Sequence, residues 1–131
     1  MAFICPQCLQ GSLKITERIE LEGDSRSDDI ALQLLVCSSC SFDGIAVYQE
    51  SRRGALDSES YDHYGYAVSD EDFRAFCALL EQCPDRGKSN CDCATHRALN
   101  RFNESGRWNA LESYDQKSYF QMRFAEDEST A

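Results

Sequence analysis

The segment IALQLLVCSSC, residues 30–40, joins an alternating strand pattern directly to a Cys-X-X-Cys pair. Apolar residues occupy every second position of this segment, which is typical of a β-strand with one buried face. They are Ile30, Leu32, Leu34 and Val36. The pattern runs without a break into Cys37 and Cys40, whose spacing places two thiols on one tight turn. The segment therefore predicts a strand that delivers half of a tetrahedral metal site.

A second Cys-X-X-Cys pair, Cys5 and Cys8, lies near the start of the chain. Between the two pairs, an alternating segment and a polar turn over residues 23–28 precede the strand just described. The alternating segment lapses once, at Glu17, and its apolar residues are Leu13, Ile15, Ile19 and Leu21. This pattern predicts a β-hairpin that returns the chain from the first pair to the second. The two pairs together offer the four thiolates of a closed zinc site.

A glycine follows each pair, Gly11 after the first and Gly44 after the second. A zinc ion with four thiolates carries two net negative charges, so backbone N–H groups should turn toward the sulfurs. We expect both glycines to adopt positive φ, which makes such turns possible at little steric cost.

We call each tight turn that carries a Cys-X-X-Cys pair a knuckle. Two knuckles joined by strands, with a further strand over residues 45–48, resemble the zinc ribbons. The resemblance covers roughly residues 3–50 and implies that Cys5, Cys8, Cys37 and Cys40 bind one structural zinc ion. Such a closed shell leaves no coordination position for a substrate. Zinc ribbons serve in transcription, translation, replication and many protein contacts, so the resemblance does not select a function.

The remainder of the chain predicts an irregular strand, two short helices and a last strand. Ser69 with Asp72 forms a capping pattern, and Pro84 closes the helix that follows, predicted over residues 69–83. The apolar stripe of this helix is Phe73, Phe76, Cys77 and Leu80. The other predicted elements are an irregular strand over 61–68, a short helix from 94 that closes near Gly106, a strand over 118–124 and frayed residues 126–131.

These elements predict an α+β protein whose N-terminal zinc ribbon extends into a mainly antiparallel sheet. We place the ribbon at residues 1–50 and an α+β extension at residues 51–131, within one compact unit. The extension includes a Cys-rich lobe over residues 83–103.

This lobe contains a second metal-ligand cluster, Cys83, Cys91, Cys93 and His96. Cys93 and His96 are three residues apart near a predicted helix start, so they project on one side of the helix. We expect a second zinc ion here. The alternative is that Cys83 completes the apolar face of the preceding helix and the other thiols are exposed. Cys77 lies in the apolar stripe and is interpreted as a small hydrophobic residue. It remains the reserve fourth ligand in place of His96.

The net charge of −10 argues against a protein that coats nucleic acid or anionic membranes. Residues 86–107 are the exception, because five basic and two acidic residues give them a local charge of +3. Arg97, Arg101 and Arg107, beside Phe102 and Trp108, could contact anions or stack on bases, since Arg97 and Arg101 are four residues apart on one predicted helix face. The alternative is a solvated face whose charges pair with nearby acidic residues. For Arg52 and Arg53 we favour a solvated surface.

No stretch is apolar enough to span a bilayer, and the first residues lack the basic and apolar regions of a secretory signal. We therefore expect a cytoplasmic protein whose thiols are reduced and bind metal rather than form disulfides. His63, among tyrosines and with no nucleophile at a meaningful spacing, is interpreted as a packed or surface residue rather than a catalytic one.

The sequence favours a non-enzymatic binding or adaptor module with structural zinc and a protein partner. The alternative is a nucleic-acid-binding zinc-ribbon protein that uses residues 86–107. A metal-dependent hydrolase is a third interpretation, which requires the second site to hold zinc with three protein ligands and a water molecule.

Overall fold

Five antiparallel strands form one sheet in which each strand pairs with its neighbour in sequence. The computed structural model describes residues 2–51, 60–111 and 118–125. The elements are β1 Leu13–Leu21, β2 Asp29–Cys37, β3 Asp43–Ser51, β4 Ser60–Ala67, α1 Asp70–Glu81, α2 Ala94–Leu99 and β5 Ser118–Gln121. The predicted α+β fold with a mainly antiparallel sheet is confirmed. None of the helices in these ranges could span a membrane.

The two faces of the sheet bury different cores. On one, the helix face, β2 and β3 pack against Phe76 and Leu80 of α1 and against Leu99 of α2. The strand residues buried on this face include Ile30, Leu32, Leu34, Ile45 and Val47. On the other, the knuckle face, a second cluster surrounds two of the thiols. It contains Phe3, Cys5, Leu13, Leu35, Cys37, Ala46 and Met122.

A β-bulge in β1 lets this single strand contribute to both cores. In the pairing of β1 with β2, the register shifts between Ile15 and Glu17, which leaves Thr16 as the extra residue. Because side chains alternate along a strand, one extra residue reverses the faces. Leu13 therefore packs in the knuckle-face cluster and Ile19 in the helix-face cluster. The lapse at Glu17 in the sequence marks this change of face.

Several predicted boundaries differ from the structure. Ser69 caps α1 through its hydroxyl, which accepts the N–H of Asp72 at 3.1 Å, so the capping pattern is confirmed. The helix ends at Glu81 rather than at residue 83, and β5 ends at Gln121 rather than at residue 124. The frayed tail predicted for residues 126–131 lies outside the described residues.

The second helix is much shorter than predicted. It ends at Leu99, and Gly106 instead lies in a turn with φ of +74°, where its N–H donates to the carbonyl of Asn103. Arg101 therefore lies beyond the helix and does not share a helical face with Arg97.

Candidate metal centres

The first candidate centre, site 1, consists of Cys5, Cys8, Cys37 and Cys40. Cys37 is the last residue of β2, Cys40 lies in the turn to β3, and the other two precede β1. All four Sγ atoms lie within 4.8 Å of one another. The Sγ atom of Cys5 lies 3.7 Å from that of Cys40, and the Sγ atom of Cys8 lies 3.7 Å from that of Cys37. A tetrahedral ion with metal–sulfur bonds of about 2.3 Å has edges of about 3.8 Å, so this group fits one.

Backbone N–H groups point at the sulfur atoms of site 1, as expected for a cluster that carries negative charge. In each case the donor lies two residues after the cysteine. The pairs are Gln7 to Cys5 at 3.4 Å, Ser39 to Cys37 at 3.3 Å and Phe42 to Cys40 at 3.4 Å.

The two glycines near site 1 act through their small size rather than through positive φ. Neither Gly11 nor Gly44 adopts positive φ, so that prediction is wrong. A Cβ atom on Gly11 would lie 2.6 Å from the Cβ of Ala125, and one on Gly44 would lie 2.5 Å from the carbonyl oxygen of Tyr66. Both glycines therefore permit close packing of neighbouring chain segments around the knuckles.

Leu9 takes the left-handed conformation in the first knuckle, with φ of 64°. Its N–H donates to the carbonyl of Cys5 at 2.9 Å, which closes the turn. This conformation costs an L-residue about 1–2 kcal/mol, and the Leu9 side chain, 74% exposed, gains little burial in return. The first knuckle is therefore a locally strained turn.

Ser12 completes the surroundings of site 1 and was missed by the sequence analysis. Its buried hydroxyl lies 3.1 Å from the Sγ of Cys37 and lowers the pKa of that thiol to about 6. The Phe42 N–H lowers the pKa of Cys40, but burial and the neighbouring thiols raise it to about 12. One thiol of the group is thus prepared to ionise, which suits a ligand that must bind as thiolate. No spacing rule singles out a serine at this position.

The second candidate centre, site 2, brings together Cys83, Cys91, Cys93 and His96. Cys83 follows α1, Cys91 lies in the connecting loop, and Cys93 is the N-cap of α2. The Nδ1 atom of His96 lies 3.2 Å from the Sγ of Cys83 and 3.3 Å from that of Cys93. The four ligand atoms all lie within 4.8 Å of one another. This group also fits a tetrahedral ion.

The histidine of site 2 is held by the backbone of β1. His96 is 1% exposed, and its Nε2 lies 2.8 Å from the carbonyl oxygen of Glu20. A donated Nε2–H leaves Nδ1 as the atom that can bind a metal. The N–H of Glu20 in turn donates to the carbonyl of Arg86 at 2.8 Å. These two hydrogen bonds attach the Cys-rich loop to the edge strand of the sheet.

The thiols of site 2 differ in the same way as those of site 1. Burial raises the pKa of Cys83 to about 11. Burial also tends to raise the pKa of Cys93. The hydrogen bonds from the backbone N–H and the imidazole of His96 outweigh this effect and lower the pKa of that thiol to about 6. Cys77 is not part of this group: it is half-buried on α1 and packs against the helix-face core, and burial raises its pKa.

The basic residues of 86–107 are mostly engaged with neighbouring acids. The ion pairs are Arg86 with Glu17 at 3.0 Å, Arg97 with Asp92 at 3.5 Å and Arg107 with Asp24 at 3.4 Å. Trp108 is half-buried, and its indole N–H donates to the carbonyl of Leu99 at 2.7 Å. Phe102 is more open, with 38% of its surface exposed.

His63 is half-buried on the knuckle face. Its Nε2 lies 2.7 Å from the Oε1 of Gln33, and burial lowers its pKa to about 4, so the ring is neutral near pH 7. The ring also meets Phe3 and Tyr48 edge to face, with centroids 5.5 and 5.4 Å away. Arg52 and Arg53 lie outside the described residues.

No family model, curated protein or solved structure matches this chain in comparisons with known proteins. The assignment of a function therefore depends on the geometry of the two centres.

Proposed function

We propose that this chain is a zinc-binding, non-enzymatic adaptor module whose two zinc ions are structural. The observation that carries the proposal is that both clusters have four protein ligand atoms, all within 4.8 Å of one another. A four-coordinate site filled by protein ligands stabilises a fold and leaves no position for a substrate.

The donor sets favour zinc over other divalent ions. Site 1 offers four sulfur atoms, and site 2 offers three sulfur atoms and one imidazole nitrogen. Hard ions such as Mg²⁺ and Ca²⁺ prefer oxygen ligands, whereas tetrahedral sulfur and nitrogen sets are typical of structural zinc. The zinc-ribbon resemblance of residues 3–50 points to the same ion.

The positions of the ions support a structural role. Site 1 closes the hairpin of β1 and β2 at the end that leads into β3. Site 2 joins the end of α1 to the start of α2, and His96 attaches this junction to β1. Each ion would therefore fix elements that the modest core of a small protein holds only marginally.

A hydrolase would require one of these ligands to give way to water. Site 2 is the candidate, because Cys91 and His96 line a cavity of about 270 Å³ together with Glu22, Asp92 and Arg97. The hydrogen bond from His96 to the Glu20 carbonyl argues against this function, because it holds the imidazole with Nδ1 facing the three thiols as the fourth ligand.

The metal content of the purified protein tests the proposal. Native mass spectrometry should find two zinc ions per chain, and one each in the Cys37→Ser variant and in the Cys91→Ser/Cys93→Ser variant. Cobalt substitution should give the intense visible bands of tetrahedral thiolate sites. A single ion in the wild-type protein, or a cobalt spectrum of five- or six-coordinate geometry, would overturn it.

Nucleic-acid binding is the alternative function, favoured by the local charge of residues 86–107. Titration of single-stranded oligonucleotides, followed by Trp108 fluorescence, separates it from the adaptor function. The adaptor function predicts weak binding at physiological salt, because ion pairs already engage three of the arginines. Submicromolar, salt-sensitive quenching that is lost in Arg97→Ala/Arg101→Ala would establish the alternative.

A further inference from the structure

One thiol ligand of site 2, that of Cys91, borders an open cavity. Cys91 is half-buried, and the cavity has a volume of about 270 Å³. The rest of its lining is polar and consists of Glu22, Asn90, Asp92, His96, Arg97 and Asn100. A small polar molecule that enters this cavity would therefore lie against Cys91.

Cys91 also differs from the other two thiols of site 2 in its hydrogen bonds. The N–H of Asp85 donates to the Sγ of Cys83, and the N–H of His96 donates to that of Cys93 at 3.3 Å. Among the described residues, no N–H group donates to the Sγ of Cys91. Because an N–H donor stabilises negative charge on sulfur, the thiolate that lacks one is the strongest nucleophile of the three.

The thiols of site 1 are better protected. Three of them accept backbone N–H groups, and the fourth, Cys8, lies 4.0 Å from the hydroxyl of Ser12. A cavity of about 270 Å³ lies near this site too, but the knuckle residues that line it are Pro6 and Gln7 rather than a cysteine. Within the described part of the chain, Cys91 is thus the ligand that combines a bordering cavity with the lack of an N–H donor.

A second thiol lies close enough to form a disulfide with Cys91. The Sγ atoms of Cys83 and Cys93 both lie within 4.8 Å of the Cys91 Sγ. One residue separates Cys91 from Cys93, so a disulfide between them would close a small and strained ring. Seven residues separate Cys83 from Cys91, and a loop of this length can adopt disulfide geometry. Cys83 is therefore the favoured partner.

We propose that Cys91 is a site of oxidation by hydroperoxides and that its oxidation releases the zinc ion of site 2. The Cys91 thiolate attacks one oxygen of hydrogen peroxide, the O–O bond breaks, and hydroxide leaves as a sulfenic acid forms. The thiolate of Cys83 then attacks the sulfenic sulfur, and a second hydroxide leaves as the disulfide forms. Each hydroxide takes a proton from the solvent, so two thiolates are oxidised and one peroxide is reduced to two water molecules. Cys93 and His96 then remain as two ligands, which are too few for a stable zinc site.

Loss of this ion would loosen α2. This helix has six residues, fewer than an isolated helix needs in water, and its Leu99 is 1% exposed within the helix-face core. The indole N–H of Trp108 donates to the carbonyl of Leu99 at 2.7 Å, so Trp108 fluorescence reports the change. Peroxide would thus alter the surface that the adaptor presents near α2. The inference rests on the proposed function, because it requires a zinc ion in site 2.

The test treats the zinc-loaded full chain with hydrogen peroxide and follows released zinc with a chromogenic chelator, against a sample without peroxide. One zinc ion per chain should be released in a first phase, and the second at least about fivefold more slowly. The fluorescence of Trp108 should change with the first phase and recover after a thiol reductant and zinc are added. Release of both ions at one rate, or no release beyond the sample without peroxide, would overturn the proposal.

Chemical mapping of the wild-type chain identifies the oxidised residue. Dimedone, which traps sulfenic acids, should label Cys91 first, and peptide mapping after oxidation should find a disulfide between Cys83 and Cys91. First labelling of another cysteine would overturn the assignment to Cys91. A disulfide between Cys91 and Cys93 would overturn the assignment of Cys83 as the partner.

The variant Cys91→His replaces the thiolate by another zinc ligand. It should keep two zinc ions and lose the fast phase of release, whereas Cys77→Ser, which removes a thiol outside the ligand group, should keep the fast phase. A fast phase that persists in Cys91→His would contradict the proposal, and if this variant binds one ion only, the dimedone labelling decides. The zinc content before oxidation tests the proposed function. A chain that holds two zinc ions but releases neither with peroxide would therefore refute this inference alone.

Discussion

The two candidate metal centres draw their ligands from the chain in different ways. In site 1 the two pairs of thiols are separated by the whole β1–β2 hairpin, and the strand pairing of Leu13 with Cys37 brings them together. In site 2 all four ligands lie within residues 83–96, and neither Cys91 nor Cys93 lies in a helix or strand. The sheet therefore assembles the first centre, whereas the segment between the two helices supplies most ligands of the second.

This difference would give the two proposed ions different tasks. An ion in site 1 would close a long segment and hold the first hairpin in register. An ion in site 2 would close a short loop, which is joined to β1 by the hydrogen bonds of His96 and Arg86 with the backbone of Glu20. Loss of the first ion should therefore spread through the molecule, and loss of the second should stay local.

The largest expected effect follows removal of a site 1 ligand. Cys37→Ser should abolish zinc binding at this site and unfold the first hairpin, because structural zinc contributes on the order of 10 kcal/mol, comparable to the stability of a whole domain. Circular dichroism and metal analysis measure the change. A variant that retains two zinc ions and its thermal stability would show that site 1 is not a metal centre.

A smaller effect is expected in site 2. The double variant Cys91→Ser/Cys93→Ser should lose one zinc ion and the protection of α2, while β2 and β3 stay protected from hydrogen exchange. The fluorescence of Trp108 should also change, since its indole N–H is bonded to Leu99 at the end of α2. If the sheet amides lost protection as in Cys37→Ser, the proposed difference between the centres would be wrong.

The identity of the fourth ligand of site 2 gives a sharper test. His96→Ala should weaken zinc binding at site 2 by at least about a hundredfold, because the loss of a ligand costs more than the roughly 10- to 100-fold loss that follows removal of an outer-shell partner. Cys77→Ala should leave the metal content unchanged, because Cys77 packs against the core outside the ligand group. A chelator competition assay compares the two variants. The reverse order of affinities would make Cys77 the ligand.

The sequence was sufficient for the features that depend on local pattern. The period-two segments predicted β1 and β2, the capping pair Ser69 and Asp72 predicted the start of α1, and the cysteine spacing predicted which thiols come together. These signals are contained in neighbouring residues, so a single chain displays them.

Other features depend on contacts between residues that are distant in sequence. The hydrogen bond between His96 and the carbonyl of Glu20 joins residues on α2 and β1. No pattern in the sequence around Glu20 indicates that its backbone carbonyl would bind a histidine. The bulge at Thr16 appeared in the sequence as a break in the apolar alternation at Glu17. That the side chains of β1 change to the other face of the sheet at this point follows only from the pairing register of β1 with β2. The predicted end of the second helix lies too far along the chain, because Phe102 continues the helical spacing of the apolar residues before it. In the structure, Phe102 instead forms an antiparallel bridge with Trp108 across a turn.

The smallest expected effect concerns the strained turn of the first knuckle, for which site 2 has no counterpart among the described residues. Leu9 is the described non-glycine residue with positive φ, and its exposed side chain packs little. Leu9→Gly should therefore stabilise the zinc-loaded protein by about 1 kcal/mol, which corresponds to a rise of roughly 3–6 °C in Tm. Leu9→Ala keeps the Cβ atom and should leave the Tm nearly unchanged. Thermal unfolding in the presence of excess zinc compares the two variants. If alanine stabilised as much as glycine, the exposed isobutyl group rather than the backbone conformation would be the source of the cost.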